Sequence, residues 1–336
     1  MSQRGTQSIQ FDRAPYILSS ASIVGTKEGE GPFGKSFDVV GKDDNFGENT
    51  WEEAESTLQK EAATLAIGKA GLAKADIRYI FGGDLLGQSI ATTFGLMELN
   101  IPLFGLFGAC STAGESLSLA AMAVAAGYGD QVLAVTSSHF ASAEKQFRFP
   151  LEYANQRPLS ASWTVTGSGA FVVGKRRSKL RITGVTTGKV VDYGIKDAQN
   201  MGAAMAPAAC DTICQSFLDF ARNPLDYDRI VTGDLGYVGQ EILFKLMKEK
   251  GFDIRDRHMD CGIEIYNREK QNTNAGGSGC GCSAVLLSAH ILPQMEKGAW
   301  KRVLFVPTGA LMSTVSFHEG QSVPGIAHGV VLEYAG

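Results

Sequence analysis

Cys110 has the surroundings of a residue that could do chemistry. It lies in the run Gly-Ala-Cys-Ser-Thr-Ala-Gly at residues 108–114, directly before an apolar segment with almost no charged face. Such a segment indicates a helix that is buried on all sides. A cysteine at a helix start can be held as thiolate by the helix dipole and by free amides, so we expect a nucleophile or a pocket floor at Cys110, with Ser111 beside it. The alternative is a small apolar side chain that fills a tight helix start.

Two aspartates occupy equivalent turns after predicted strands. Asp84 follows the strand near residue 80, and Asp234 follows the strand near residue 230. An aspartate in such a turn caps its own backbone and the following helix. Ligands of α/β folds also bind at the carboxyl ends of strands, so Asp84 and Asp234 are candidates for lining the same site.

Two histidines could reach that site. His139 follows a predicted strand and either lines the cleft or packs beside it. The charged residues around His258 favour a solvated loop, with a pocket role as the alternative. Three cations of one polar segment could pair with ligand carboxylates or lie in a solvated loop: Lys145, Arg148 and Arg157.

Composition excludes several classes of function. The chain has 336 residues, and 31 Lys and Arg against 35 Asp and Glu give a net charge of −4. This balance gives no general reason to bind nucleic acid. The longest charge-free apolar segment, residues 116–129, is shorter than the ~20 residues of a membrane span, and the first residues lack the apolar stretch of a signal peptide.

The cysteines indicate thiols in a reducing compartment. There are six of them, and a chain of this length without a signal segment is not expected to build a disulfide framework. The pairs Cys210 with Cys214 and Cys280 with Cys282 both lack the Cys-x-x-Cys spacing of a zinc knuckle. We therefore predict no metal site and no cofactor.

The sequence repeats itself. Residues 77–98 and 228–249 both give a strand, a Gly-Asp-Leu turn and a helix, and the apolar helices at 108–124 and 276–292 also correspond. Two further strand pairs follow in the same order. Alternating strands and helices rich in Val, Ile and Phe predict mostly parallel sheets covered on both faces. We predict a duplicated α/β unit with halves at residues 1–175 and 180–336.

One helix start is marked by local chemistry. Thr50 and Glu53 have the spacing of a capping box, and they precede a segment at 51–70 that stops at Gly71. The pattern predicts a helix over residues 51–70.

The ordered motifs resemble the thiolase and β-ketoacyl synthase superfamily. The resemblance implies a five-layer αβαβα duplication with two pseudo-twofold-related mixed sheets, and it places Cys110 at the acyl-accepting position. The condensing enzymes of this superfamily carry a His where this chain has Gly-Asp-Leu at 233–235. They also carry an Asn or His in the region 272–279, where Asn272 and Asn274 are the candidates. The resemblance thus implies a degenerate acyl-transfer site, because the general base is missing.

Three segments resemble one family of that superfamily, the stage V sporulation protein AD family. They are Gly-Gly-Asp-Leu-Leu-Gly-Gln, Phe-Gly-Ala-Cys-Ser-Thr-Ala-Gly-Glu and Pro-Gly-Ile-Ala-His-Gly-Val-Val-Leu-Glu. This resemblance implies a non-catalytic protein that binds dipicolinic acid, or its calcium chelate, and aids its uptake into the developing spore. It further implies spore membrane transport proteins as partners, a peripheral place on the cytoplasmic face of the forespore or spore inner membrane, and a possible homodimer.

Two other functions stay open at this point. The first is a condensing enzyme that uses Cys110 with His258 or His139 as an unusual base. The second is a structural subunit that docks on membrane partners. The ligand hypothesis has a physical basis, because dipicolinate is a dianion at neutral pH and a helix N-terminus supplies amide donors and partial positive charge.

Overall fold

The computed structural model describes residues 2–147 and 156–336. In this part of the chain the strands are β1 (Ser2–Arg4), β2 (Ser8–Gln10), β3 (Tyr16–Val24), β4 (Val39–Val40), β5 (Ile80–Asp84), β6 (Leu103–Leu106), β7 (Gln131–Ser138), β8 (Trp163–Thr164), β9 (Gly167–Gly174), β10 (Leu180–Thr186), β11 (Arg229–Thr232), β12 (His258–Asp260), β13 (Gly277–Ser278), β14 (Arg302–Val306), β15 (Thr308–Ala310), β16 (Gly325–Ala327) and β17 (Gly329–Tyr334). The helices are α1 (Thr26–Gly29), α2 (Trp51–Lys69), α3 (Ile90–Met97), α4 (Thr112–Ala125), α5 (Phe140–Phe147), α6 (Met201–Phe220), α7 (Gly236–Glu249), α8 (Cys261–Glu264), α9 (Arg268–Gln271), α10 (Cys280–Leu286), α11 (Leu292–Glu296) and α12 (Thr314–His318).

The order of the strands confirms the duplication. The main sheet runs β12-β11-β14-β17-β10-β3-β9-β7-β5-β6, and each half gives the same pattern from the middle outward. In the first half β5 is parallel to β7, and β7 is antiparallel to β9. In the second half β11 is parallel to β14, and β14 is antiparallel to β17. The two arrays meet where β10 pairs with β3, at Leu180 with Ile17 and Arg181 with Tyr16.

The helices complete five layers, as the fold class predicts. The first half is covered on its outer face by α2, with α3 packed against α2. The middle layer holds α4, which contacts β5, β7 and β9, and α10, which contacts β3, β7 and β9. A π-helical turn at Leu287–Ile291 joins α10 to α11, which contacts β10 and β17. On the far side, α6 covers the second array and α7 packs against α6.

Helix α2 begins where the sequence predicts. The Glu53 amide donates to the Thr50 hydroxyl oxygen at 3.2 Å, and the Thr50 amide donates to the Glu53 carboxylate at 3.1 Å. This capping box satisfies two amides of the first turn, which would otherwise lack a partner. The helix ends at Lys69, one residue before the predicted end.

The middle layer is largely apolar. Leu117, Ala121 and Val124 of α4 are buried with Val285 and Leu287 of the second central helix in one core cluster. Both central helices are therefore largely buried, as their composition predicts, with Glu115, Leu119 and Met122 of α4 only half-buried. In the described part of the chain, no helix has the length and hydropathy that a membrane crossing requires.

Candidate functional site

Cys110 lies at the entrance to α4, in a tightly constrained turn. A short 3-10 turn covers Ala109–Ser111, and Ala109 has a φ of 50°, in the left-handed region that an alanine rarely adopts. Gly309 of β15 crosses directly above, and a Cβ there would collide with the carbonyl oxygen of Gly108. The turn is thus held in place by the neighbouring strand, and the Cys110 side chain is only 3% exposed.

A cavity of about 750 Å³ opens over Cys110. Its volume lies within the usual range of small-molecule sites. It lies at the carboxyl ends of the parallel strands, and both halves of the duplication contribute to it. The lining residues are 85–88, 107, 109, 110, 144–147, 161, 162, 164, 196–199, 201, 278, 310–314, 317 and 318. Of the seven residues predicted to bind a ligand, Cys110 alone is among these described lining residues.

Asp234 takes the place next to Cys110 that the resemblance assigns to a histidine. The Cys110 thiol donates to its carboxylate, which also accepts the Gly279 amide and the Thr308 hydroxyl, both at 2.9 Å. Gly279 has a φ of 102°, which lets its amide face Asp234. Burial raises the pKa of Asp234 to about 7.

The Asp234 carboxylate raises the pKa of the Cys110 thiol, whereas a protonated imidazole in its place would lower it. Burial comes first and the charge of Asp234 second among the causes that raise the pKa of Cys110 well above its ordinary value. Desolvation and the facing carboxylate thus oppose the thiolate that a helix start would otherwise favour, and this pKa favours the neutral thiol at neutral pH.

Asp84 caps the helix that follows its strand. Its carboxylate accepts the amides of Leu86 and Thr92, both at 3.0 Å, and the Thr92 hydroxyl at 2.8 Å. Burial raises the pKa of Asp84. Because Leu85 and Leu86 line the cavity, Asp84 supports its wall from behind.

The expectation of a solvated loop at His258 was wrong. His258 begins β12, and its ring bonds the Thr232 hydroxyl at 2.9 Å and the Gln240 side chain at 3.1 Å. Burial lowers its pKa to about 3. Thr232 also donates to Asp260 at 2.6 Å, and Asp260 accepts the amide next to Asp234. His258 thus belongs to a chain of bonds that supports the Asp234 turn.

His139 and Ser111 also bond to backbone. The His139 Nδ1 atom accepts the Ala141 amide at 3.1 Å, which leaves its Nε2–H to donate to the Asp44 carbonyl at 2.8 Å. Burial lowers the pKa of His139. The Ser111 hydroxyl donates to the Gly108 carbonyl at 2.6 Å. Neither side chain is among the described residues that line the cavity.

Asn274 lies at another surface. Its amide donates to the carbonyl of Pro158 at 3.1 Å, and it lines a separate depression of about 270 Å³ together with Leu159, Arg268, Glu269 and Asn272. The residues that the second central helix does bring toward Cys110 are Ser278, Gly279 and Cys280. Sequence reasoning missed these three, although the matching position of the two apolar helices in the repeat was a signal that could have found them.

The cations near the cavity already have acidic partners. Arg157 pairs with Glu144 at 3.1 Å and donates to the Ser162 carbonyl, and Lys145 pairs with Glu52. Arg148 lies outside the described residues. A further cation, Lys196, lines the mouth and is exposed.

A family model described as Stage V sporulation protein AD matches residues 5–333. The chain belongs to the stage V sporulation protein AD family. The stage V sporulation protein AD of Bacillus subtilis (strain 168) is 44% identical over 336 residues, which is 100% of this chain and 99% of the relative.

Solved structures with the same fold include condensing enzymes. A 3-oxoacyl-[acyl-carrier-protein] synthase III from Aquifex aeolicus VF5 matches with a TM-score of 0.57 and 13% identity over 95% of this chain and 100% of its own. A point variant of OleA from Xanthomonas campestris matches with a TM-score of 0.63 and 14% identity over 99% of this chain and 100% of its own. These matches confirm the thiolase-like fold of this sporulation protein family member.

Among the described residues, no cluster of three or more His, Cys, Asp or Glu side chains could coordinate a metal ion. A calcium chelate as the bound species stays a proposal.

Proposed function

We propose that this protein binds dipicolinic acid, or its calcium chelate, in the cavity over Cys110 and aids its uptake into the developing spore without catalysing a reaction. Membership of the stage V sporulation protein AD family supports a role in spore formation. The observation that carries the non-catalytic part is the contact between Cys110 and Asp234. An enzyme of this fold needs a thiolate there, and the facing carboxylate disfavours one.

The cavity has properties that suit a small aromatic dianion. It is lined on one side by apolar side chains such as Leu85, Phe107 and Phe147 and carries hydroxyls at Thr164 and Ser278. A planar ring can pack on the apolar side while its carboxylates accept hydrogen bonds from the hydroxyls. Lys196 at the mouth supplies positive charge on the path of entry.

The alternative, an acyl-transferring condensing enzyme, would need a base beside Cys110. The two histidines considered for that task are engaged elsewhere, His139 with Asp44 and His258 with Thr232 and Gln240. The pKa of both is lowered by burial, and neither is among the described residues of the cavity lining. The geometry therefore favours the binding protein.

Membership of this family also supports a proposal about where in the cell the protein lies. We place the protein at the cytoplasmic face of the forespore or spore inner membrane, as a peripheral partner of the transport proteins of the same system.

A homodimer would cover the exposed apolar side chains beside edge strand β6, where Phe94, Met97 and Phe104 are between 52% and 62% exposed.

Titration calorimetry tests the ligand. Dipicolinate, its calcium chelate and its diester should be titrated separately at low and at high salt. We expect binding of the dianion that survives added salt, because charges in a confined pocket are screened little, and no binding of the diester, whose acceptors are poorer. Equal affinity for the diester, or collapse of dipicolinate binding at high salt, would refute the proposed pocket.

Substitution of Cys110 localises the site. Cys110→Ala fits the small-residue turn and should leave the fold intact while it weakens binding of dipicolinate. Cys214→Ala, on α6 and outside the cavity lining, is the matched control and should bind as the unmodified protein does. Unchanged heat of binding in folded Cys110→Ala would place the ligand elsewhere.

A further inference from the structure

Several basic side chains lie at the ends of the strands that are opposite the cavity. We call this surface the basic edge and define it by six exposed residues: Arg78, Lys175, Arg176, Arg177, Lys179 and Lys301. The protein as a whole has a net charge of −4, so a local excess of cations is a departure from its average surface. Four of the six come from the connection between β9 and β10 alone.

The sheet order brings these cations side by side. The Lys175 amide donates to the Asp130 carbonyl just before β7, and the Arg78 amide donates to the first residue of β7. The end of β17 continues the row, because Ala335 donates to the Lys179 carbonyl and Tyr334 donates to the Lys301 carbonyl. Neighbouring strands therefore present these cations in one row at the same end of the sheet.

Part of this charge is not neutralised within the protein. Lys175 pairs with Asp130 at 2.6 Å, and the Arg176 guanidinium donates to the Ala70 carbonyl. The charged groups of Arg177, Lys179 and Lys301 make no ion pair or hydrogen bond with another residue in the described ranges, although the Lys301 backbone amide donates to the Asp228 carboxylate at 2.6 Å. Their charge is available to an external partner.

An aromatic side chain lies next to the row. Tyr128 is 72% exposed in the turn before β7, and the adjacent Gly129 packs against the side chain of Arg78. An exposed tyrosine has an apolar ring and a polar hydroxyl, which suits the boundary between lipid headgroups and acyl chains.

We propose that the basic edge docks the protein on an anionic lipid bilayer. Cations close to an anionic surface attract it electrostatically, and Tyr128 would insert at the headgroup level. The cavity lies at the opposite ends of the same strands, so docking in this orientation leaves the cavity mouth open to solution. The inference adds a contact surface to the proposed location of the protein, and it does not depend on which ligand the cavity holds.

Vesicle binding tests the docking surface. Vesicles of phosphatidylcholine mixed with phosphatidylglycerol should bind the full chain, and vesicles of pure phosphatidylcholine should not. The triple variant Arg177→Gln, Lys179→Gln, Lys301→Gln removes cations that lack internal partners in the described ranges, so its fold should be kept. Each cation contributes about a fivefold gain in affinity, so we expect about 100-fold weaker binding by the triple variant.

A second triple variant is the matched control. Lys35→Gln, Lys42→Gln, Lys270→Gln changes the net charge equally with exposed residues outside the basic edge, and it should bind vesicles as the unmodified protein does. Equal loss in both triple variants, or no preference for the anionic vesicles, would overturn the proposal. Dipicolinate titration of the first triple variant should be unchanged, which separates this test from that of the ligand.

Discussion

Replacing Asp234 by asparagine should release the Cys110 thiol from the charge that keeps it protonated. The carboxamide oxygen can still accept the Gly279 amide, and the amide group can donate to the Thr308 hydroxyl oxygen, which can act as an acceptor. The variant therefore keeps both bonds that hold the side chain and removes only its charge. The fold should be preserved.

The size of the effect follows from the contact between the two groups. Two negative charges about 4 Å apart repel by ~4 kcal/mol at the effective dielectric constant of ~20 that describes most protein sites. One pKa unit corresponds to ~1.36 kcal/mol, so the pKa of Cys110 should fall by about 3 units at most. Burial remains and keeps the pKa above its ordinary value. Below that pKa, the thiolate fraction should rise by between about 10-fold and about 1,000-fold.

Alkylation by iodoacetamide reads out the thiolate. The rate at Cys110 should be measured by mass spectrometry against pH, above the Asp234 pKa of about 7, where its carboxylate is charged. We expect much faster alkylation in Asp234→Asn than in the unmodified protein. Asp84→Asn is the matched control, because it removes the buried carboxylate of the equivalent turn, which is not among the charges acting on Cys110. An unchanged rate in folded Asp234→Asn would refute the electrostatic account of the idle cysteine.

Three further outcomes are expected. Incubation with an acyl-coenzyme A should add no stable acyl mass to Cys110 at a catalytic rate, and rapid saturable acylation with turnover would instead show an enzyme. Burial and the charge of Asp84 raise the pKa of Glu55 to about 8 in the folded protein. The unfolded chain releases this proton above about pH 4.5, so the free energy of unfolding should fall as the pH rises from 5 to 8. Glu55→Gln should flatten that dependence by about 1 to 3 kcal/mol in urea unfolding, while exposed Glu61→Gln on the same helix should not. Thr50→Ala should cost ~1 kcal/mol of unfolding free energy, and Thr50→Ser should restore most of it.

The sequence was sufficient for features that rest on local chemistry or on its own repetition. The capping box at Thr50 needs only residues three apart, and the structure shows both of its bonds. The buried helices were visible in composition because a helix without a charged face has nowhere to lie but between layers. The duplication placed Asp84 and Asp234 in equivalent turns, and the strand order agrees.

The site was less accessible to sequence reasoning because its contacts join distant segments. Ser278 and Gly279 reach Cys110 across about half of the chain, and nothing local marks them. His258 was misjudged because β12 is only three residues long, too short for the alternation of inward and outward side chains to be seen. Arg255 and Asp256 are exposed, whereas the His258 ring turns toward Thr232.

The exchange of an imidazole for the carboxylate of Asp234 has two consequences that favour the same function. It puts a carboxylate where the resemblance expects an imidazole, which supports the proposal that Cys110 accepts no acyl group. It also keeps the sulfur neutral, and a thiolate at the floor would add a negative charge where a dianion has to bind. The remaining carboxylate is itself moderated, because the Gly279 amide and the Thr308 hydroxyl donate to it and burial raises its pKa to about 7. A floor without a charged sulfur suits the proposed function, in which an anion is held and released unchanged.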